Sequence, residues 1–202
     1  MEKSGKNSQG KKKANPTNTF SVPFVSEDIN INTNSASKAS KASKEQIINQ
    51  AIKFHLQGNI NQAVKYYQLC IKKGFNDYRV FSNYGTILKN LGKLKEAELS
   101  TRKAIQLNPN FADSYSNLGI ILRDLGNLKE AEISQRKAIQ LNPDFAEAHS
   151  NLGIILKDIG NLKEAELFTR KAIQLNPNFA EAYYNHGTIL KEIGNLKEAE
   201  LS

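Results

Sequence analysis

The chain has no tryptophan, one methionine and one cysteine among 202 residues. A lone cysteine, Cys70, cannot build a disulfide framework, which points to a reducing compartment such as the cytoplasm. No run of about eighteen apolar residues exists, so no membrane-spanning helix is expected. The basic start, Met1 to Lys13, leads into no apolar stretch, which argues against a secretory signal. Catalytic signatures are missing too. His55, His149 and His186 share no metal-ligand spacing with acids or the cysteine. His149 stands where Phe81, Tyr115 and Tyr183 stand one or more periods away, and His186 takes a leucine place, so both read as packing residues. Cys70 replaces a small alanine and reads as a buried, inert thiol. No glycine-rich phosphate loop follows a strand, because no strands are expected. The chain is therefore read as non-enzymatic, with no metal and no cofactor.

The net charge of +8 divides evenly. Residues 1–43 hold seven lysines against Glu2, Glu27 and Asp28, a balance of +4. Apart from the island Phe20-Ser21-Val22-Pro23-Phe24-Val25, this segment is mostly Ser, Asn, Thr, Gly and Ala. It cannot bury enough apolar surface to offset its ordering entropy and is expected to be a disordered basic tail. The island is either a docking motif or, the favoured reading, a random apolar patch in a linker, and Lys11-Lys12-Lys13 reads as a solvated cluster. Residues 38–44, Lys-Ala-Ser-Lys-Ala-Ser-Lys, are low in complexity and fray into the first helix.

From Lys44 onward the chain repeats itself. Gly58, Gly92, Gly126, Gly160 and Gly194 lie 34 residues apart, as do Ala63, Ala97, Ala131, Ala165 and Ala199, and Pro109, Pro143 and Pro177. Segments 112–145 and 146–179 are identical at 25 of 34 positions. Within 112–145, Tyr115, Leu118, Ile121, Leu122 and Leu125 recur at helical spacing. Gly126 follows as a left-handed C-cap. Asn127 and Glu130 have capping-box spacing for a second helix, whose apolar stripe is Leu128, Ala131, Ala138, Ile139 and Leu141. Asn142-Pro143 ends it, and Asp144 with Glu147 is expected to cap the next helix. Each repeat is a helical hairpin that buries its apolar faces only by stacking on its neighbours. Gly119, with Gly85, Gly153 and Gly187, is expected to allow close approach to the Ala131 class on the second helix.

The pattern Tyr115-x-x-Leu118-Gly119-x-x-Leu122, then Ala131, Ala138 and Pro143, resembles the tetratricopeptide repeat. The resemblance implies an all-α fold, a right-handed α-solenoid of about four and a half repeats over residues 44–202. In that register the repeats are 44–77, 78–111, 112–145, 146–179 and 180–202. The first departs most, with Ala51 for the glycine, Cys70 for the second alanine and Phe75 for the proline. The fifth stops at Ser202, a few residues into its second helix. Its Leu190, Ile193 and Leu196 then lack a capping helix, and fraying or weak self-association through this repeat is expected.

The family places its first helices along a concave, peptide-binding groove. Asn49, Asn83, Asn117, Asn151 and Asn185 occupy one repeat position on those helices. An asparagine amide offers two donors and an acceptor, enough to pair with a peptide backbone without reading side chains. The same row can instead tie neighbouring helices together. The row and the run Tyr115-Ser116-Asn117-Leu118-Gly119 are similar to the tetratricopeptide arm of protein O-linked N-acetylglucosamine transferases. The catalytic domain of that family is absent here, so the resemblance bears on the groove alone. The carboxylate clamp that grips chaperone C-termini needs basic residues where this chain has Ser82, Ser116, Asn117 and Asn151, with Asp113 and Glu147 nearby. Only Arg79 matches it in charge, which excludes the clamp. Asp113, Asp124, Glu147, Asp158, Glu181 and Glu192 favour a neutral or basic peptide.

The pairs Arg102-Lys103, Arg136-Lys137 and Arg170-Lys171 would suit nucleic acid. Glu98, Glu132 and Glu166 lie four residues before the arginines, which neutralises the row and makes it a solvated face. The expected function is a scaffold that binds a protein or peptide, with no nucleic acid and no membrane. The alternative is a truncated substrate-recognition arm of an enzyme such as an O-linked N-acetylglucosamine transferase-like glycosyltransferase.

Overall fold

A computed structural model describes the backbone of residues 36–200 and the side chains of residues 44–194. The expectations for the tail over residues 1–35, its apolar island and its lysine cluster lie outside the described residues. Among those residues the chain forms nine helices: α1 (Ala36–Leu56), α2 (Ile60–Lys72), α3 (Tyr78–Asn90), α4 (Leu94–Leu107), α5 (Ala112–Asp124), α6 (Leu128–Leu141), α7 (Ala146–Ile159), α8 (Leu162–Leu175) and α9 (Ala180–Glu200). The first helix starts at Ala36, ahead of the expected tail boundary at residue 43.

The hairpin turns follow from one residue type. Gly58, Gly92, Gly126 and Gly160 all take positive φ, between 70° and 91°, a region that costs glycine nothing and other residues strain. After Gly126 the chain turns back, and Asn127 N–H donates to the Leu122 carbonyl at 2.8 Å. The capping boxes of Asn127 and Asn161 do not form: their side chains accept no bond from the helix they precede, although their carbonyls accept the N–H groups of Ala131 and Ala165. Asn161 instead donates its amide to Glu164 at 2.7 Å. Between hairpins, Asn108, Asn142 and Asn176 are extended, as a residue before proline must be. Their Oδ1 atoms accept the N–H groups of Asn110, Asp144 and Asn178 at 3.1–3.2 Å. These asparagines organise the turn expected of Asp144 and Glu147, and the N-cap of α7 is Phe145 without a side-chain bond.

The core is built on small residues. Ala97, Ala104, Ala131, Ala138, Ala165 and Ala172 are fully buried where two helices cross, and Leu118, Leu122, Leu152, Leu156, Ile121 and Ile155 fill the space around them. The helical glycines admit the backbone of the expected alanines, with the Ala97 carbonyl oxygen 3.3 Å from a Cβ on Gly85 and that of Ala165 3.1 Å from one on Gly153, and a second neighbour a turn further on. A Cβ on Gly85 or Gly153 would collide with the Thr101 or Thr169 side chain, and one on Gly119 would lie 2.7 Å from Gln135 Nε2. Residues 101, 135 and 169 lie one turn beyond the alanines. At Gly187 nothing stands within 4 Å.

First helices of adjacent hairpins touch one another: α1 with α3, α3 with α5, α5 with α7, α7 with α9. Second helices approach one another only through their side chains. The stack therefore curves, with the odd-numbered helices on the inside. The last expected hairpin is absent. α9 runs straight through Gly194, where earlier glycines bend the chain. An interior helical glycine costs about 1 kcal/mol. No further described helix packs over α9 to reward a bend, and continuing the helix satisfies the backbone locally.

Candidate peptide-binding groove

The inner face is lined by the odd-numbered helices, and the asparagine row lies on it. Each amide is held by the previous repeat. Asn117 Nδ2 donates to Ser82 Oγ at 3.4 Å, Asn151 to Ser116 at 3.3 Å and Asn185 to Ser150 at 3.0 Å. The row thus ties helices together, one of the two readings open in the sequence. One amide N–H in each residue is used this way. Asn117 and Asn151 remain half-buried, whereas Asn83 and Asn185 are buried, 5% and 7% exposed. The series stops at Asn83. Its serine would stand at residue 48, which is the buried Ile48. Asn83 Nδ2 has no hydrogen-bond partner and lies against the buried Tyr67 hydroxyl. Asn49 occupies the same place on α1 and is half-buried.

Around Asn151 and Asn185 the groove opens into a cavity of about 490 Å³. Ile120, Ile154 and Thr188 line it, Tyr184 projects from α9 with 73% of its surface exposed, and Lys89, Arg123, Lys157, Asp124, Glu181 and Glu192 surround them. Those charges are organised across repeats. Arg123 pairs with Asp158 at 2.6 Å and Lys157 with Glu192 at 3.5 Å. Burial lowers the pKa of Lys89, against the pull of the Asp124 and Glu181 carboxylates. The groove acids thus face basic partners, and the basic preference expected from Asp158 and Glu192 does not follow from their charge. The basic residues at positions 89, 123 and 157, and the serines ahead of each asparagine, escaped the sequence reading. The signal for the second was present as the repeated pairs Ser82-Asn83, Ser116-Asn117 and Ser150-Asn151.

Arg79 is committed elsewhere. Its guanidinium makes two bonds to Glu45, at 2.9 and 3.0 Å, and is bonded to both Asp77 oxygens. Asp77 and Glu45 hold it in the charged form, and Arg79 holds the Asp77 carboxyl below its usual pKa despite burial. On the outer face Arg102 bonds Glu98 and Glu130, Arg136 bonds Glu132 and Glu164, and Arg170 bonds Glu166. The pairing expected four residues apart is present, and a second set ties α4 to α6 and α6 to α8.

The isolated polar groups pack. His149 Nε2–H donates to the Pro143 carbonyl, 2.9 Å away, and the ring stacks on Phe168. His186 Nδ1 lies 2.9 Å from Thr169 Oγ1. Cys70 is fully buried, and burial pushes its thiol up to about 11, far from the thiolate a nucleophile needs. No group of three or more His, Cys, Asp or Glu among the described residues is placed to hold a metal ion. No described helix is long and apolar enough to cross a membrane.

A curved stack of near-identical helical hairpins, with a polar groove along its inner face, defines a repeat scaffold for protein interaction. Tetratricopeptide repeat models match residues 78–111, 101–133, 146–179 and 168–200, and a TPR repeat model matches 119–160. Together they span 78–200, more than half of the chain, and the protein belongs to the tetratricopeptide repeat family. No curated protein sequence matches significantly. Among solved structures, MamA is 24% identical over 71% of this chain and 84% of its own, with a TM-score of 0.62. Pseudomonas aeruginosa pilF is 18% identical over 81% of this chain and 74% of its own, TM-score 0.68. The first TPR of Spaghetti (RPAP3), bound to the HSP90 peptide SRMEEVD, is 23% identical over 58% of this chain and 94% of its own, TM-score 0.56. These likenesses are of fold.

Proposed function

We propose that the chain holds an extended peptide of a partner protein in its inner groove, with Asn117, Asn151 and Asn185 bonding the peptide backbone and Asn83 and Asn49 continuing the row. The observation that carries the reading is the serine bond behind each of the first three amides. It spends one N–H on the previous repeat and leaves the Oδ1 and the second N–H to pair with a ligand. Neighbouring first helices stand roughly 8–10 Å apart. An extended peptide rises about 3.3 Å per residue and would meet one amide every three residues. Backbone reading of this kind tolerates many sequences. The neutralised wall charges support a peptide without strong net charge. The single buried thiol fits a cytoplasmic setting, and the exposed Tyr183 and Leu190 on α9 offer a surface for weak self-association.

The test uses peptides selected against the full chain from a random library. Asn117→Ala with Asn151→Ala should weaken the selected peptide by roughly 0.5–1.5 kcal/mol per lost bond, with helical content unchanged. Undiminished affinity in the folded double variant would reject the amide row as the binding element.

A further inference from the structure

The backbones of α4, α6 and α8 stay apart, leaving on the outer face a gap between neighbours that side chains bridge or fill. Between α6 and α8 the chain fills it with its own ring. Phe168 stacks on His149, 5.7 Å between centroids, and the Arg136 guanidinium lies 5.5 Å from the ring centre on its face. Between α4 and α6 the counterpart of Phe168 is Ser134, one 34-residue period earlier. Ser134 turns its hydroxyl back to the Glu130 carbonyl. The volume a phenyl ring would take is left as part of a cavity of about 540 Å³, lined by Ile105, Tyr115, Leu118 and Ile133 with Arg102 beside them. Tyr115 and Arg102 are the counterparts of His149 and Arg136. The aromatic platform and the guanidinium are therefore both in place, and the ring between them is missing.

We propose that this socket receives an aromatic side chain from the chain's own N-terminal segment, the Phe24 ring of Phe20–Val25. The neighbouring repeat shows which side chain the geometry accepts: a phenyl ring, gripped by stacking and by a cation over its face. Phe20 and Phe24 are the only aromatic residues ahead of α1. Phe24 lies 36 − 24 = 12 residues before Ala36, a span of up to about 40 Å. The α5 helix under the socket stands two first-helix steps from α1, roughly 20 Å at the usual packing distance. Arg102 is neutralised by Glu98 and Glu130. The socket thus suits the uncharged run Phe-Ser-Val-Pro-Phe-Val better than the lysine cluster of the same segment.

A fluorescein-labelled peptide of residues 17–28, titrated into full-length chains, tests this. The Phe20→Ala/Phe24→Ala chain has a vacant socket and binds the peptide. In the unaltered chain the tethered segment competes at an effective concentration on the order of millimolar, so the peptide binds at least ~10-fold more weakly. Adding Ser134→Phe to the double variant fills the socket from within and abolishes binding. Adding Ile133→Glu instead alters a side chain that is 67% exposed, so folding is kept while a charge at the socket weakens binding at least ~10-fold. Failure of the double variant to bind, equal binding to the unaltered chain, or binding unmoved by Ile133→Glu overturns the proposal. A sedimentation dimer that the phenylalanine substitutions return to monomer would overturn docking within one chain and assign the segment to a second copy.

Discussion

Gly153 and Gly187 are the same residue of the same motif one repeat apart, and they sit in opposite surroundings. At Gly153 a Cβ would collide with Thr169 Cγ2 and lie 3.1 Å from the Ala165 carbonyl oxygen, while at Gly187 it would meet nothing within 4 Å. Leu156 and Leu190 differ in the same way, 1% against 44% exposed. The reason is the helix overhead: α8 covers α7, whereas no described second helix covers α9. In a solenoid the apolar pattern of a helix decides which face it offers. The energy of that face depends on whether a neighbour accepts it.

Four substitutions sharpen the contrast. The largest effect is expected at the leucines. Leu156→Ala should lose about 2–5 kcal/mol of unfolding free energy, the range for a fully buried leucine. Leu190→Ala should lose less than about 1 kcal/mol, since nearly half of its surface is already wet. Urea unfolding of the two variants measures the gap, and equal losses would mean that something covers α9 in solution. The glycines should differ in sign. Gly153→Ala forces Thr169 aside and should cost about 1–3 kcal/mol as overpacking. Gly187→Ala meets no neighbour and should gain up to about 1 kcal/mol of helix propensity. Thermal midpoints that move the same way in both would remove the distinction.

The smallest effect is in pH dependence. Burial, helped by Lys171, lowers the His149 pKa below its ordinary 6.5, against the Pro143 carbonyl and Asp144. The unfolded chain then binds the proton more readily, so this contribution to stability is full above about pH 6.5 and is lost as the pH falls below it. His149→Tyr, which installs the residue found at Tyr115, should make the urea midpoint less sensitive between pH 7 and 5.5. His55 is lowered by burial as well, so sensitivity should shrink and not vanish. A variant as pH-sensitive as the parent would show that His149 is exposed.

The first four hairpins and the left-handed glycines at 58, 92, 126 and 160 were legible because each rests on local chemistry repeated several times. The asparagine row was legible as a row. The serine acceptors were not, because a bond from Asn151 to Ser116 depends on how neighbouring repeats lean, which periodicity does not encode. For the same reason Gly119 was assigned to Ala131 while its neighbour is Gln135, a turn further on. The capping boxes failed for a different cause. The left-handed glycine and the 2.8 Å bond from Asn127 N–H to Leu122 already fix the chain's entry, and the asparagine side chain is left over. At Gly194 the sequence repeats the signal of a bend, but a bend needs a packed second helix as well as a permissive residue.

The bonds between repeats run at fixed offsets. Asparagine reaches back 35 residues to serine, and arginine reaches forward 28 to glutamate. Donor and acceptor of each bond are themselves members of series copied every 34 residues. Splicing out or inserting one whole unit in the middle of the stack would hand every donor an acceptor of the same kind, whereas a slip of a single residue would orphan them all. The gene can therefore change the length of its product in whole units, like adding links to a chain, without renegotiating a contact. Ile48 marks where that freedom stops, because a unit joined there finds no serine to hold its asparagine.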